Sequence, residues 1–213
     1  MGKYEAVYDI SVTLGTEAID YPDTPQYSQE FVMKIADGDI ANLSKLEMCT
    51  HSGTHIDTPA HFIADGKNLD ECPLEEWIRP AHVVEIKDKE AVRPAELEKL
   101  DIKPGDALLF KTENSRSGRG MNGMWSENFV YVSPEAADFC VKKKVGLIGI
   151  DYNTIERSGA EDYPAHYKIL GNGILILEHI NLKDIPSGKY TLFCPPLKMK
   201  EVEGSPARAF LIR

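Results

Sequence analysis

The chain has 213 residues, enough for one domain with a substantial apolar core. Hydrophobic residues make up 42% and charged residues 27%, which excludes the disordered and low-complexity classes. With 34 acidic against 24 basic residues the formal charge is −10, which argues against nucleic acid or an anionic membrane as partner and for a small-molecule substrate.

Cys49, Cys72, Cys140 and Cys194 are far apart and form no Cys-x-x-Cys pair, so the expectation is four free thiols in a reducing compartment. The start, Met-Gly-Lys-Tyr-Glu-Ala, has no apolar leader segment, and no apolar run approaches the ~20 residues that span a bilayer. Both point to a cytoplasmic protein. The whole chain, 1–213, reads as a single domain without repeats or linkers.

In chain order, a strand is predicted at 6–14, where Val7, Ile10 and Val12 lie among polar neighbours, and a loop at 15–25 that carries Tyr21. A second strand is predicted at 43–50 and a third at 82–86, with His82 as a structural residue inside it. Pro94 opens a helical stretch over 93–100. A strand at 107–111 precedes a Gly-rich loop at 115–128, whose Gly-x-Gly does not fit a dinucleotide fingerprint. Ser133 is a helix N-cap for 133–144, and Lys142, Lys143 and Lys144 suit that helix's C-terminal end. A strand at 146–152, a short helix at 164–170 stopped by Gly171, and strands at 174–178, 190–194 and 208–213 complete the set. Strands outnumber helices by roughly two to one, which predicts a mixed α/β or α+β domain on a large sheet.

Three of the six histidines fall within His51-Ser52-Gly53-Thr54-His55-Ile56-Asp57-Thr58-Pro59-Ala60-His61-Phe62. Neutral imidazole and carboxylate are the usual ligands of zinc, manganese and iron, and two His with one Asp leave coordination positions open. Gly53, Pro59 and the β-branched Thr54 and Ile56 speak against a helix. In a strand, residues 51, 55, 57 and 61 share one face, but a straight strand would put His51 about 20 Å from Asp57. The chain must bend, and Gly53 is the residue that allows it. Downstream, His166 and Glu178 form a second cluster. Glu178 ends an apolar run, where an unpaired buried charge would be costly, so it needs a metal or an Arg. His179 would then face the other way.

The histidine segment resembles the signature of the metal-dependent cyclase/hydrolase family, which includes bacterial kynurenine formamidases and isatin hydrolases. Tyr8-Asp9-Ile10-Ser11, Tyr21-Pro22-Asp23-Thr24-Pro25, Gly149-Ile150-Asp151, the stretch from Asn172 to Glu178, and the ending from Pro196-Leu197-Lys198 through Gly204 to Ala209 are similar to the family as well. The resemblance implies that His51, His55 and Asp57 hold a first metal and that Asp57 bridges to a second, completed by His166 and Glu178. It implies His61 as proton donor and acceptor. It also implies a cyclase-like swivelling β/β/α fold: one compact α/β domain around a twisted, barrel-like mixed sheet with a few helices, assembled as a homodimer or homotetramer. Where kynurenine formamidases carry a substrate-contacting Trp, this chain has Tyr21, and its Tyr-Pro-Asp-Thr-Pro lacks their Gly.

The expected function is hydrolysis of a small amide, formamide, lactam or ester with one or two divalent ions per chain, zinc first and manganese second. Two alternatives stand beside it. One is a non-haem Fe(II) oxygenase using His55, Asp57 and His166, and the other is a metal-binding module without catalysis. Ser52 beside His51 lacks a nucleophile elbow, and Cys49 reads as a small buried hydrophobe. Phe62 and Trp125 are candidates for an apolar pocket, and Arg116 and Arg119 read as solvated loop charges.

Overall fold

Central segments such as 107–110 and 147–150 are apolar and buried at every position, the mark of strands covered on both faces. The computed structural model describes residues 5–213; the first four, read above for a leader, lie outside them. Its strands are β1 (Val7–Asp9), β2 (Ser28–Met33), β3 (Leu43–Glu47), β4 (His55–Asp57), β5 (Ile78–Glu85), β6 (Ala91–Val92), β7 (Ala107–Lys111), β8 (Tyr131–Val132), β9 (Leu147–Ile150), β10 (Leu175–Glu178), β11 (Gly188–Phe193), β12 (Gly204–Pro206) and β13 (Phe210–Ile212). The helices are α1 (Pro94–Leu97), α2 (Glu113–Ser117), α3 (Pro134–Lys143) and α4 (Pro164–Leu170).

Nine strands form one curled sheet in the order β1-β13-β11-β5-β7-β9-β10-β4-β12. Its centre, from β5 through β7 and β9 to β10, is parallel, and both flanks are antiparallel. The pleat divides the core in two. Leu109, Leu147, Leu175 and Leu177 join Ile56, Trp77 and Leu211 on one face. Leu108, Phe110, Ile148, Ile150 and Ile176 meet Ala137 and Cys140 of α3 and Ile169 of α4 on the other. The α/β expectation holds in this form. Among the described residues no helix is long and apolar enough to cross a membrane.

Ser133 caps α3 as predicted, its side chain accepting from the Ala136 N–H. Other elements differ from expectation. The segment 43–50 does not join the main sheet: β3 pairs with the unpredicted β2 in an exposed hairpin. The strand at 6–14 shrinks to β1 plus one bridge from Ser11 to Ile180, because the chain turns after Thr13, whose carbonyl accepts from the N–H groups of Glu17 and Ala18. The stretch 93–100 yields only the single turn of α1. The loop at 115–128 contains the end of α2 and a 3₁₀ turn at Arg119–Met121.

Candidate metal centre

Strand register assembles the first half of the site. In the antiparallel pairing of β10 with β4, Glu178 lies opposite His55 and Ile176 opposite Asp57. Their neighbours Ile56 and Leu177 point into the first core, so His55, Asp57 and Glu178 share the other face. Helix α4 packs on that side and delivers His166, with Nε2 3.4 Å from Glu178 Oε1. The expected bend is present. Gly53 sits at φ 63, and His51 Nδ1 comes back to 2.8 Å from Asp57 Oδ1. A side chain at position 53 would also place its Cβ 2.7 Å from Leu14 Cδ2. His61, on a 3₁₀ turn at Pro59–His61, stacks on His51 with ring centroids 4.1 Å apart.

Hydrogen bonds orient these rings. His55 Nδ1 donates to the Gly53 carbonyl at 2.8 Å, so Nε2 is the nitrogen left facing Asp57 and Glu178. His51 has a carboxylate at each nitrogen, Asp57 at Nδ1 and Glu203 at Nε2. Glu178 Oε1 accepts from the Ile155 N–H at 2.6 Å. Asp57 is fully buried, yet its Oδ2 has no partner among the described residues. Two sets of side chains have ligand atoms mutually within 4.8 Å: His51, Asp57 and His61, and His55, Asp57 and Glu178. They share Asp57, and an orphaned buried carboxylate oxygen between two donor sets fits a divalent ion. His166 stands in neither set and reaches the site through Glu178, so His55 and Asp57 are grouped with Glu178 rather than in the triad an oxygenase would need.

Charge coupling inside this cluster is strong. Burial works against a charged His55, but Asp57 and Glu178 beside it raise its pKa to about 10. Burial likewise opposes charge on His166, and Glu156 and Glu178 raise it to about 9. Burial pushes Asp57 up, but His51 and His55 hold it well below the usual carboxylate range. His61 goes the other way, lowered first by burial. A histidine raised in the folded state adds stability that is complete below its unfolded value of about 6.5 and is lost as pH rises through the folded value. The chelated protein is therefore expected to lose melting temperature from pH 7 to pH 10, while the metal-loaded protein does not. Loading at pH 7 should release up to about two protons per chain, from His55 and His166, measurable with an indicator dye. Loading without proton release would contradict the protonated pair.

Several contributors carried no sequence signal. Glu156 is buried, and its Oε2 accepts from the Ala165 and His166 N–H groups at 3.0 and 3.3 Å and faces His166 Nδ1 at 3.3 Å. It holds the ring so that Nε2 looks toward Glu178. Glu156→Gln should weaken metal affinity by about 10–100-fold, the usual cost of removing a ligand's outer partner, read by competition with a chelator. An unchanged affinity would make Glu156 only a cap for α4. Glu203 comes from the segment before β12, too far along the chain for spacing to reveal it. Tyr163, at φ 43, precedes α4 and lines the cavity over the cluster.

That cavity also takes in Tyr21, Cys49 and Phe62, so Cys49 is a lining residue rather than a buried hydrophobe. Tyr21 is partly exposed and its ring meets Trp125 at 4.9 Å, while Phe62 stacks on His166 at 4.5 Å. Arg116 and Arg119 do not line it: Arg116 pairs with Glu85 and Glu113, and Arg119 reaches Asn114. His82 is bound to Asp106, and His179 turns away to donate from Nε2 to the Gly120 carbonyl.

The family model described as a putative cyclase matches residues 8–157. Kynurenine formamidase of Bacillus cytotoxicus is 30% identical over 95% of both chains. The kynurenine formamidase of Salinibacter ruber is 31% identical over 97% of both. Among solved structures, a predicted metal-dependent hydrolase from Bacillus stearothermophilus is similar with a TM-score of 0.83 and 29% identity, covering 97% of this chain and 98% of its own. Isatin hydrolase A from Labrenzia aggregata has a TM-score of 0.83 over 97% of this chain and 93% of its own, and its 24% identity makes that a likeness of fold. With a family match over most of its length and relatives aligned nearly end to end, the chain belongs to the cyclase family of metal-dependent hydrolases that cleave C–N bonds outside peptides.

Proposed function

We propose that the chain hydrolyses a small aromatic formamide or related amide, using divalent cations held by His51, His55, Asp57, His166 and Glu178. The observation that carries this reading is the pair of donor sets meeting at Asp57 beneath an aromatic cavity. A cavity of about 220 Å³ suits one ring or two fused rings. Tyr21, Phe62 and Tyr163 supply flat apolar walls, with Tyr21 as the substrate-binding residue at the opening. No Lys or Arg among the described residues lines it, which favours an uncharged reacting end.

A bound dication supplies acidification of water toward pKa ~7 and polarisation of a carbonyl oxygen. The chain's own residues do the rest. His61 is kept neutral by burial, so an imidazole nitrogen accepts a proton from the attacking water and returns it to the leaving nitrogen. His51 stacks against that ring and holds it in place. Glu178 and Asp57 keep the rings of His55 and His166 turned inward.

Imidazole and carboxylate donors favour zinc, with manganese second. The four free cysteines suit a reducing cytoplasm. Exposed Phe31, Val32, Ile35, Leu43 and Leu46 on and beside the β2–β3 hairpin support association into a homodimer or homotetramer, which sedimentation would measure.

The test is to load the protein with zinc or manganese, count metals per chain, and assay N-formylkynurenine, formanilide, a benzo-fused lactam and an aryl ester. The expected result is turnover that chelation abolishes and metal restores. Fully loaded protein that turns over none of the panel would sink the reading and leave a metal-binding module.

A further inference from the structure

The histidines on either side of Gly53 are held in opposite ways, and one of them depends on a residue that the proposed chemistry does not use. The ring of His55 is set from its own segment: Nδ1 donates to the Gly53 carbonyl, which leaves Nε2 facing Asp57 and Glu178. His51 shows the reverse. Its Nδ1 faces Asp57 Oδ1 at 2.8 Å, and its Nε2 faces Glu203 Oε1 at 3.2 Å.

Glu203 is fixed at both ends. Its Oε1 also accepts from the hydroxyl of Thr50, the residue before His51, at 2.7 Å. Its carbonyl accepts from the N–H and the hydroxyl of Thr58, the residue after Asp57, both at 2.9 Å. One residue thus clamps both ends of the segment that carries the donors. The next residue, Gly204, opens β12 opposite Asp57. A Cβ there would lie 2.8 Å from His51 Cε1 and 3.2 Å from Nε2, so the ring can lie against β12 only because position 204 has no side chain. On the ring's face, His61 stacks with centroids 4.1 Å apart. Glu203 itself stands in neither donor set.

We propose that Glu203 is a positioning residue for the metal centre: it keeps the proton of His51 on Nε2, so that His51 presents Nδ1 to a divalent ion, whereas His55 presents Nε2. A neutral imidazole has one donor and one acceptor nitrogen, and the partner at one fixes the role of the other. An ionised carboxylate accepts and cannot donate, so at Nε2 it holds the hydrogen there. Asp57 cannot do the same at Nδ1, because it belongs to both donor sets and is itself needed at the ion. A carboxylate behind a histidine ligand fixes the ring plane and makes the other nitrogen more basic. The inference rests on the proposed metal centre, but its test does not depend on turnover.

The test uses the full chain with heavy nitrogen in its histidines, loaded with a spin-active cadmium isotope. Nuclear magnetic resonance then reads which ring nitrogen couples to the metal and which carries hydrogen. For His51 of the wild type the expected result is coupling at Nδ1 and a hydrogen on Nε2. Glu203→Ala should lose that pattern and weaken zinc binding by about 10–100-fold, read by competition with a chelator. Glu203→Gln keeps an acceptor oxygen and should retain the wild-type pattern. Coupling at Nε2 of His51 in the wild type would overturn the proposal. So would a Glu203→Ala protein with unchanged affinity and pattern, or a Glu203→Gln protein no better than Glu203→Ala, the mark of a residue that only braces the fold. The wild-type spectrum keeps the proposal falsifiable even if Glu203→Ala does not fold. A protein that takes up no cadmium overturns this inference together with the metal centre. Cadmium on Nδ1 of His51 in a protein that hydrolyses none of the amide panel leaves this inference standing and the hydrolase reading fallen. Hydrolysis with His51 bound through Nε2 has the opposite meaning.

Discussion

Asp57→Ala should abolish the metal centre and destabilise the fold at once. Asp57 is fully buried, meets His51 and His55 at 2.8 and 3.3 Å, and belongs to both donor sets. Its loss therefore removes a ligand from each set rather than from one. Turnover of the amide should fall by at least about 10²–10³-fold, the scale of deleting one preorganised electrostatic partner. Metal content should drop sharply, read by elemental analysis. The metal-free variant also loses the closest counter-charge of a buried, protonated His55. Breaking a buried pair costs about 3–5 kcal/mol, and in a chain of this size that lowers the melting temperature by about 6–20 °C. A variant with wild-type metal content and activity would remove Asp57 from the centre.

His61→Ala should separate chemistry from metal binding. If His61 carries the proton as proposed, its loss should cost about 10²–10⁴-fold in kcat, with metals per chain unchanged. Burial lowers its pKa, so the acid limb of the wild-type rate profile should lie below the ordinary histidine value of about 6.5 and disappear in the variant. The geometry sharpens this test, because His61 is also close enough to His51 and Asp57 to be a ligand. Loss of a metal in His61→Ala would assign it that role. Full activity would dismiss it from both.

The legible part of the site was the part whose geometry is local. Residues 51, 55, 57 and 61 lie within one short segment, and a single flexible position, Gly53, decides whether they meet. Glu178 was legible because a charge closing the apolar run of β10 must find a partner. Glu156 and Glu203 were not. Each is an ordinary polar residue in a loop, and only tertiary packing brings it to a histidine. The same divide runs through the fold. The central strands β7, β9 and β10 are nearly continuous apolar runs, readable at once. The strand β2 is exposed along nearly its whole length, so no burial pattern marks it, and β3 follows its partner off the main sheet.

The pairing of β4 has a consequence for the order of events in the cell. Its two neighbours are β10 and β12, so Asp57 sits between Ile176 and Gly204. A ribosome releases the histidine segment long before either neighbour exists. Closing loops of this length costs entropy that is recovered only when the long-range strands have docked. The nascent segment can offer His51, His55 and Asp57, but not the carboxylate of Glu178 or the ring of His166. The complete donor set is thus a product of finished synthesis. Hydrophobic burial has to bring β10 and β12 against β4 before the proposed ligands can meet in one place.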